Sequence, residues 1–125
     1  MNFSYLLSVL DLYLMKEKDA NLVIEVDNIE NIVKVEFCYF EDTINRTFVK
    51  LPKNIFFENL SYFIKKLQGN YKIENESLNS LSGNYKYIIS FAQKRILSFV
   101  NFTLDEYKII RNNFNNLTGE FIFKL

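Results

Sequence analysis

The sequence predicts an α+β domain: an antiparallel sheet layered by three amphipathic helices, in the order α-βββ-α-βββ-α-β. Three observations carry that prediction. Apolar residues recur at helical spacing in three separate stretches. Between those stretches lie runs of alternating or β-branched residues. The links within each set of runs are short and turn-rich, which suits hairpins and leaves no room for crossover helices. A chain of 125 residues makes one ordinary domain, so 1–125 is taken as a single unit.

Residues 3–18 form the first expected helix. Phe3, Leu6, Leu7, Leu10, Tyr13 and Leu14 fall on one stripe, and a charged segment from Lys16 to Asp19 ends it. Leu22 to Val26 then reads as a strand. The turn-rich stretch Asp27 to Asn31 leads to a second strand over 32–40, where Val33, Val35, Phe37 and Tyr39 alternate with Lys34, Glu36 and Cys38. Glu41-Asp42-Thr43 marks a hairpin turn, and a third strand runs from Ile44 to Leu51 before Pro52 stops it.

The second helix covers 55–68, with Phe56, Phe57, Leu60, Phe63, Ile64 and Leu67 on its apolar face. Asn54 is its expected N-cap and Gly69 its expected C′ residue. Tyr71–Glu76 reads as a strand and the Ser/Asn-rich 75–84 as a loop. Tyr85–Ala92 and Arg95–Phe102 pair as a hairpin around Gln93-Lys94. Thr103-Leu104-Asp105-Glu106 is a capping-box pattern that opens the third helix, whose inner face is Leu104, Tyr107, Ile110, Phe114 and Leu117. Gly119 closes it, and Glu120–Leu125 alternates as a short final strand.

The helices repeat at one offset. Leu7, Phe57 and Tyr107 are fifty residues apart, as are Leu10, Leu60 and Ile110, and Leu14, Ile64 and Phe114. An internal duplication of about 50 residues would divide the chain into pseudo-repeats 1–51 and 52–103, with 104–125 as a terminal helix and strand. The preceding strands match at an offset of fifty-one, Phe48-Val49-x-Leu51 against Phe99-Val100-x-Phe102, but the middle strands match poorly there, since Val35 and Tyr39 would face Lys86 and Ser90.

The chain has no histidine, which removes the commonest general base and the commonest zinc ligand. Gly69, Gly83 and Gly119 are isolated, so no phosphate-cradling loop is present. The carboxylate pairs Glu41-Asp42, Glu74 with Glu76, and Asp105-Glu106 read as solvated strand ends or a helix first turn. Cys38, the single cysteine, lacks a neighbouring cation to activate it and reads as a small buried hydrophobe. The expectation is therefore a non-enzymatic protein with no cofactor and no metal.

Charge is balanced at fifteen basic and fifteen acidic residues, which argues against a nucleic-acid binder that must neutralise phosphates globally. The apolar segment from Phe3 to Met15 is short and carries Asp11, so neither a secretory signal nor a membrane span is expected, and cytoplasmic residence is the default. Thirteen Phe and eight Tyr are a rich supply for a chain of this size, and surplus aromatics point to a protein interface. An Asn-, Lys- and Ile-rich composition suggests AT-rich coding, as in low-GC bacteria and their phages. The function expected from these residues is a small inhibitor that occludes one protein target, of the immunity or phage counter-defence type. Tyr39, Tyr85 and Tyr87, with Arg46, Lys94 and Arg95, are the expected contact residues. A local basic patch for nucleic acid and a homo-oligomeric assembly subunit are the alternatives.

Overall fold

The structure is a computed structural model and describes residues 2–16, 18–68, 73–92 and 95–118. Helix α1 spans Phe3–Met15, and the Asn2 side chain caps it by accepting from the Tyr5 N–H at 3.0 Å. Strands β1 (Ala20–Asp27), β2 (Ile32–Tyr39) and β3 (Asp42–Pro52) form an antiparallel meander. Helices α2 (Lys53–Glu58) and α3 (Leu60–Gln68) follow. A second antiparallel meander of β4 (Ile73–Leu81), β5 (Asn84–Phe91) and β6 (Arg95–Phe102) leads into α4 (Leu104–Thr118).

The α+β class holds, but the sheet is mixed rather than antiparallel. Its six strands lie in the order β3-β2-β1-β6-β5-β4, and the two meanders join through a parallel pairing of β1 with β6. The β1–β2, β2–β3 and β5–β6 links are hairpins, as expected. The correction lies in the α2–α3 segment, which carries the chain from one sheet edge to the other and so acts as a crossover.

There are four helices among the described residues, because the expected second helix breaks at Asn59. The Asn59 N–H donates to the Phe56 carbonyl at 3.2 Å and its side chain donates to the Ile55 carbonyl at 2.9 Å, while its own carbonyl accepts from Tyr62. These tight local bonds compete with the regular ladder. The helix also starts earlier than expected, at Lys53 behind Pro52, so Asn54 lies inside the first turn and caps nothing. The polar stretch 75–84 is mostly strand, not loop. Pairing with β5 satisfies its backbone, and an edge position tolerates its Ser and Asn side chains. Ser82 (φ 53°) and Gly83 (φ 82°) make the hairpin turn, which requires left-handed backbone at both places. The expected final strand at 120–125 and the caps Gly69 and Gly119 lie outside the described residues.

Burial follows a period of two in the strands. Leu22, Ile24 and Val26 of β1, Val33, Val35 and Phe37 of β2, and Tyr87, Ile89 and Phe91 of β5 are buried, as are Leu97 and Phe99 of β6. They share one cluster with Leu6, Leu10, Phe56, Leu60, Phe63 and Phe114 from the helices. The four helices therefore cover the same face of the sheet. Leu10, Leu60 and Ile110, spaced at fifty, are all fully buried, whereas Leu7 and Phe57 are half-buried where Tyr107 is buried.

Two polar clusters fix the ends of the β1–β6 junction. At one end Arg95, only 3% exposed, donates to the Lys16 carbonyl at 2.6 Å and the Tyr13 carbonyl at 3.3 Å, satisfying the open C-terminus of α1. At the other end the capping box forms as the sequence predicts. The Thr103 N–H donates to Glu106 at 2.9 Å, and the Glu106 N–H donates to the Thr103 hydroxyl at 3.2 Å. The same Glu106 carboxylate pairs with Lys53 at 3.3 Å and accepts from Asn28, and Lys53 also donates to Asn28 at 2.6 Å. One carboxylate thus ties the β1–β2 turn to the starts of α2 and α4.

Deep in the second half, Tyr87 is 1% exposed, and its hydroxyl donates to Glu76 on β4 while Tyr107 of α4 meets its ring edge-on at 5.3 Å. Glu74, by contrast, falls where the β4–β5 register shifts, and is exposed. The bulge separates two carboxylates that strict alternation would put on one face.

Two outcomes follow from these clusters. Glu106→Ala keeps the Thr103 hydroxyl cap but leaves the Thr103 N–H without its acceptor and Lys53 without its ion pair, and should lower unfolding stability by about 2 kcal/mol in a denaturant titration. Burial, and then the bond to Glu76, push the Tyr87 phenol well above its ordinary value of 10.0. Since the folded-state value exceeds the unfolded one, this stabilisation is intact below about pH 10 and is lost as pH rises further, by about 1.4 kcal/mol per pH unit. Denaturation curves at stepped alkaline pH should show that slope in the native chain, and a shallower one in Tyr87→Phe.

Candidate functional site

With every helix on one side, the opposite face of the sheet has no layer of its own chain among the described residues. Register fixes which side chains share it. Phe48, Glu36, Val23, Ser98, Ile88 and Ser77 form one row across all six strands. Lys50, Lys34, Glu25, Val100, Lys86 and Asn79 form the next. On the other side of the first row lie Cys38, Asn21, Ile96, Ser90 and Asn75.

The middle of this face is apolar. Val23, Ile88, Ile96 and Val100 surround Ser98 on β1, β5 and β6, and each is half-buried. The flanks are charged. Arg46 reaches Glu36 at 2.8 Å, Glu25 sits opposite Lys34, and the Lys34 ammonium lies 5.0 Å from the centre of the Phe48 ring. Each carboxylate on the face thus has a cation beside it, whereas Lys50 and Lys86, on opposite sides of the apolar centre, have no ion-pair partner among the described residues. Asn21 adds a buried carbonyl oxygen with no hydrogen bond.

The contact residues expected from sequence do not converge. Tyr39 lies on the helix-covered side at the Ala20 end of the sheet, half-buried and stacked on Tyr13 with ring centres 4.6 Å apart. Tyr85 lies at the opposite end, half-buried against Phe102. Tyr87 and Arg95 present nothing to a partner in this structure, because one is a core ring and the other closes the end of α1. Lys94 lies outside the described residues. Of the six, Arg46 reaches the open face, through its bond to Glu36.

The residues that do line the open face were readable in another way. Leu22-Val23-Ile24, Ile88-Ile89, Ile96-Leu97 and Phe99-Val100 place apolar residues at consecutive strand positions. Consecutive apolar residues mark strands covered on both sides, and alternation marks strands covered on one. The interface signal therefore lay in β-branched residues out of phase with the core rather than in surplus aromatics, most of which pack inside.

This surface holds no nucleophile–base arrangement. Cys38 is buried, and its thiol points at the Tyr39 carbonyl at 3.3 Å. Among the described residues no group of His, Cys, Asp and Glu could hold a metal ion, and no helix is long and apolar enough to cross a membrane. What the face offers is shape, an apolar centre and surplus positive charge. Comparison with protein-family models, with curated proteins and with solved structures returned no match.

Proposed function

We propose that this chain is a small, non-enzymatic protein-binding inhibitor that seats its uncovered sheet face on a protein target and occludes it. The observation that carries the reading is the out-of-phase apolar set, Val23, Ile88, Ile96 and Val100, on a face that the protein's own helices leave open. An apolar centre with a charged rim is the anatomy of a protein interface. Lys50 and Lys86, on either flank, fit a target whose rim is acidic. An immunity-type or counter-defence role, in a cytoplasmic setting, remains part of this proposal and rests on composition alone.

A nucleic-acid reading draws on the row that carries Lys50, Lys34 and Lys86, but Phe48 is the one aromatic ring in the three rows, so a base has little to stack on. A duplicated unit of about 50 residues is a further part of the proposal. The same-sense strand order of the two meanders and the buried trio Leu10, Leu60 and Ile110 support it.

Affinity capture from the native host should recover one stoichiometric protein. Ile88→Asp, which puts a charge in the apolar centre, should abolish that recovery, and Lys50→Glu with Lys86→Glu should weaken it tenfold or more. Tyr62→Asp, on the exposed side of α3, should leave it unchanged. Equal recovery by all four proteins sinks the reading, and binding of DNA or RNA that weakens steeply with salt replaces it with the alternative.

A further inference from the structure

The two outer edges of the sheet are built differently. β3 forms one and β4 the other, and neither outer edge meets a further strand among the described residues. An unpaired edge is a template for another strand, so proteins guard edges with Lys, Pro and local bonds. β3 is guarded. It carries Arg46, Lys50 and Pro52. Arg46 donates to the Thr43 carbonyl at 2.8 Å and the Asp42 carboxylate accepts from the Asn45 N–H at 3.2 Å, which occupies backbone groups of that strand. β4 has nine residues and no Lys, Arg or Pro. Its register shift lies at the start, between Ile73 and Asn75, and 75–81 then pairs with β5 without a break. Asn75, Ser77, Asn79 and Ser80 are exposed along it.

The hairpin fixes which groups this edge offers. Ser82 and Gly83 make a two-residue turn, so the flanking pair, Leu81 with Asn84, is the one that exchanges both backbone bonds. Direction alternates from there. Asn79 and Ser77 face β5, and Ser80, Leu78 and Glu76 turn their N–H and C=O groups outward. A side-chain bond agrees with that count, because the Asn75 carboxamide accepts from the Glu76 N–H at 2.8 Å, in the place of a neighbouring strand's carbonyl.

The outward set is symmetric about Leu78, and so it complements itself. An antiparallel second copy with its two-fold axis at Leu78 sets Leu78 against its copy and Glu76 against Ser80 of that copy, so every outward position is used. On the helix-covered side this joins two half-buried leucines that already pack on the core cluster. On the open face it sets Ser77 beside Asn79, a hydroxyl and a carboxamide that each donate and accept. An axis at Glu76 would oppose two carboxylates, which is destabilising. An axis at Ser77 would send Ser80 to Glu74, where the register shifts. We propose that this protein forms a symmetric dimer by pairing β4 with β4 of a second copy, antiparallel and centred on Leu78. Like pairing with like closes the assembly at two copies, because each has then used its one unguarded edge. The guarded β3 stops the joined sheet from growing further. The two open faces come to lie side by side, so the dimer does not depend on what docks there.

Sedimentation equilibrium of the full chain over a range of concentrations tests this, with amide hydrogen exchange as a second readout. The expected result is a monomer–dimer equilibrium with no larger species. The Leu78 and Ser80 N–H groups should exchange more slowly in the dimer than in the dilute monomer. Ser80→Glu sets a carboxylate against Glu76 of the second copy and should weaken the dimer several-fold. Ser80→Lys sets an ammonium there and should strengthen it by a similar factor. Ser80 is exposed, so both variants should keep the native fold, which circular dichroism checks. A monomer at millimolar chain overturns the proposal. So does a dimer that responds to neither variant or to both in the same direction, and so does association that runs on to filaments.

Discussion

The parallel pairing of β1 with β6 is the junction on which the rest of the molecule depends. Each meander is a three-stranded sheet, near the smallest that can hold together alone. Joined edge to edge, they make a platform wide enough for four helices, and Ile24 opposite Phe99 places fully buried side chains from both halves at its centre. Polar clusters close both ends of that junction. Arg95 ties the start of β6 to the end of α1, and Glu106 ties the exit of β6 to the β1–β2 turn and to α2. A parallel pair has no hairpin to set its register. Here the flanking charges perform that task.

Much of this was legible in the chain itself. The capping box at Thr103–Glu106, the apolar stripe of Phe56, Leu60, Phe63 and Ile64, and the alternation of Val33, Val35 and Phe37 are local patterns with local consequences, and each appears as read. The mixed sheet was not legible, because nothing in Leu22–Val26 or Arg95–Phe102 says which distant strand will lie alongside. The strand at Ile73–Leu81 was hidden because its polarity comes from its edge position rather than from a lack of structure. The break at Asn59 turns on one side chain choosing a carbonyl in its own helix, which periodicity does not record.

The site was less legible than the fold. Tyrosine was a sound guess for interfaces in general, but Tyr87 and Tyr107 are buried and Tyr39 is half-buried against Tyr13, in a core unusually rich in rings. Arg95 looked like part of a surface cluster with Lys94, yet its guanidinium is sequestered because a helix end needed donors. The open face is marked instead by valine and isoleucine at positions where a one-sided sheet would carry polar residues. That mark can be recognised only after the phase of each strand is known.

The junction also dictates an order of events as the chain is made. Ala20 and Arg95 are partners at opposite ends of most of the sequence. The first meander can close its hairpins as soon as its strands are synthesised, but the outer edge of β1 then stands unpaired until β6 appears. Closing so long a loop places this step late and makes it slow relative to the hairpins. During that interval a β6 from another nascent copy presents the same edge, the same side chains and the same arginine. Exchange of β6 between neighbouring copies is therefore the misassembly that this topology most readily permits.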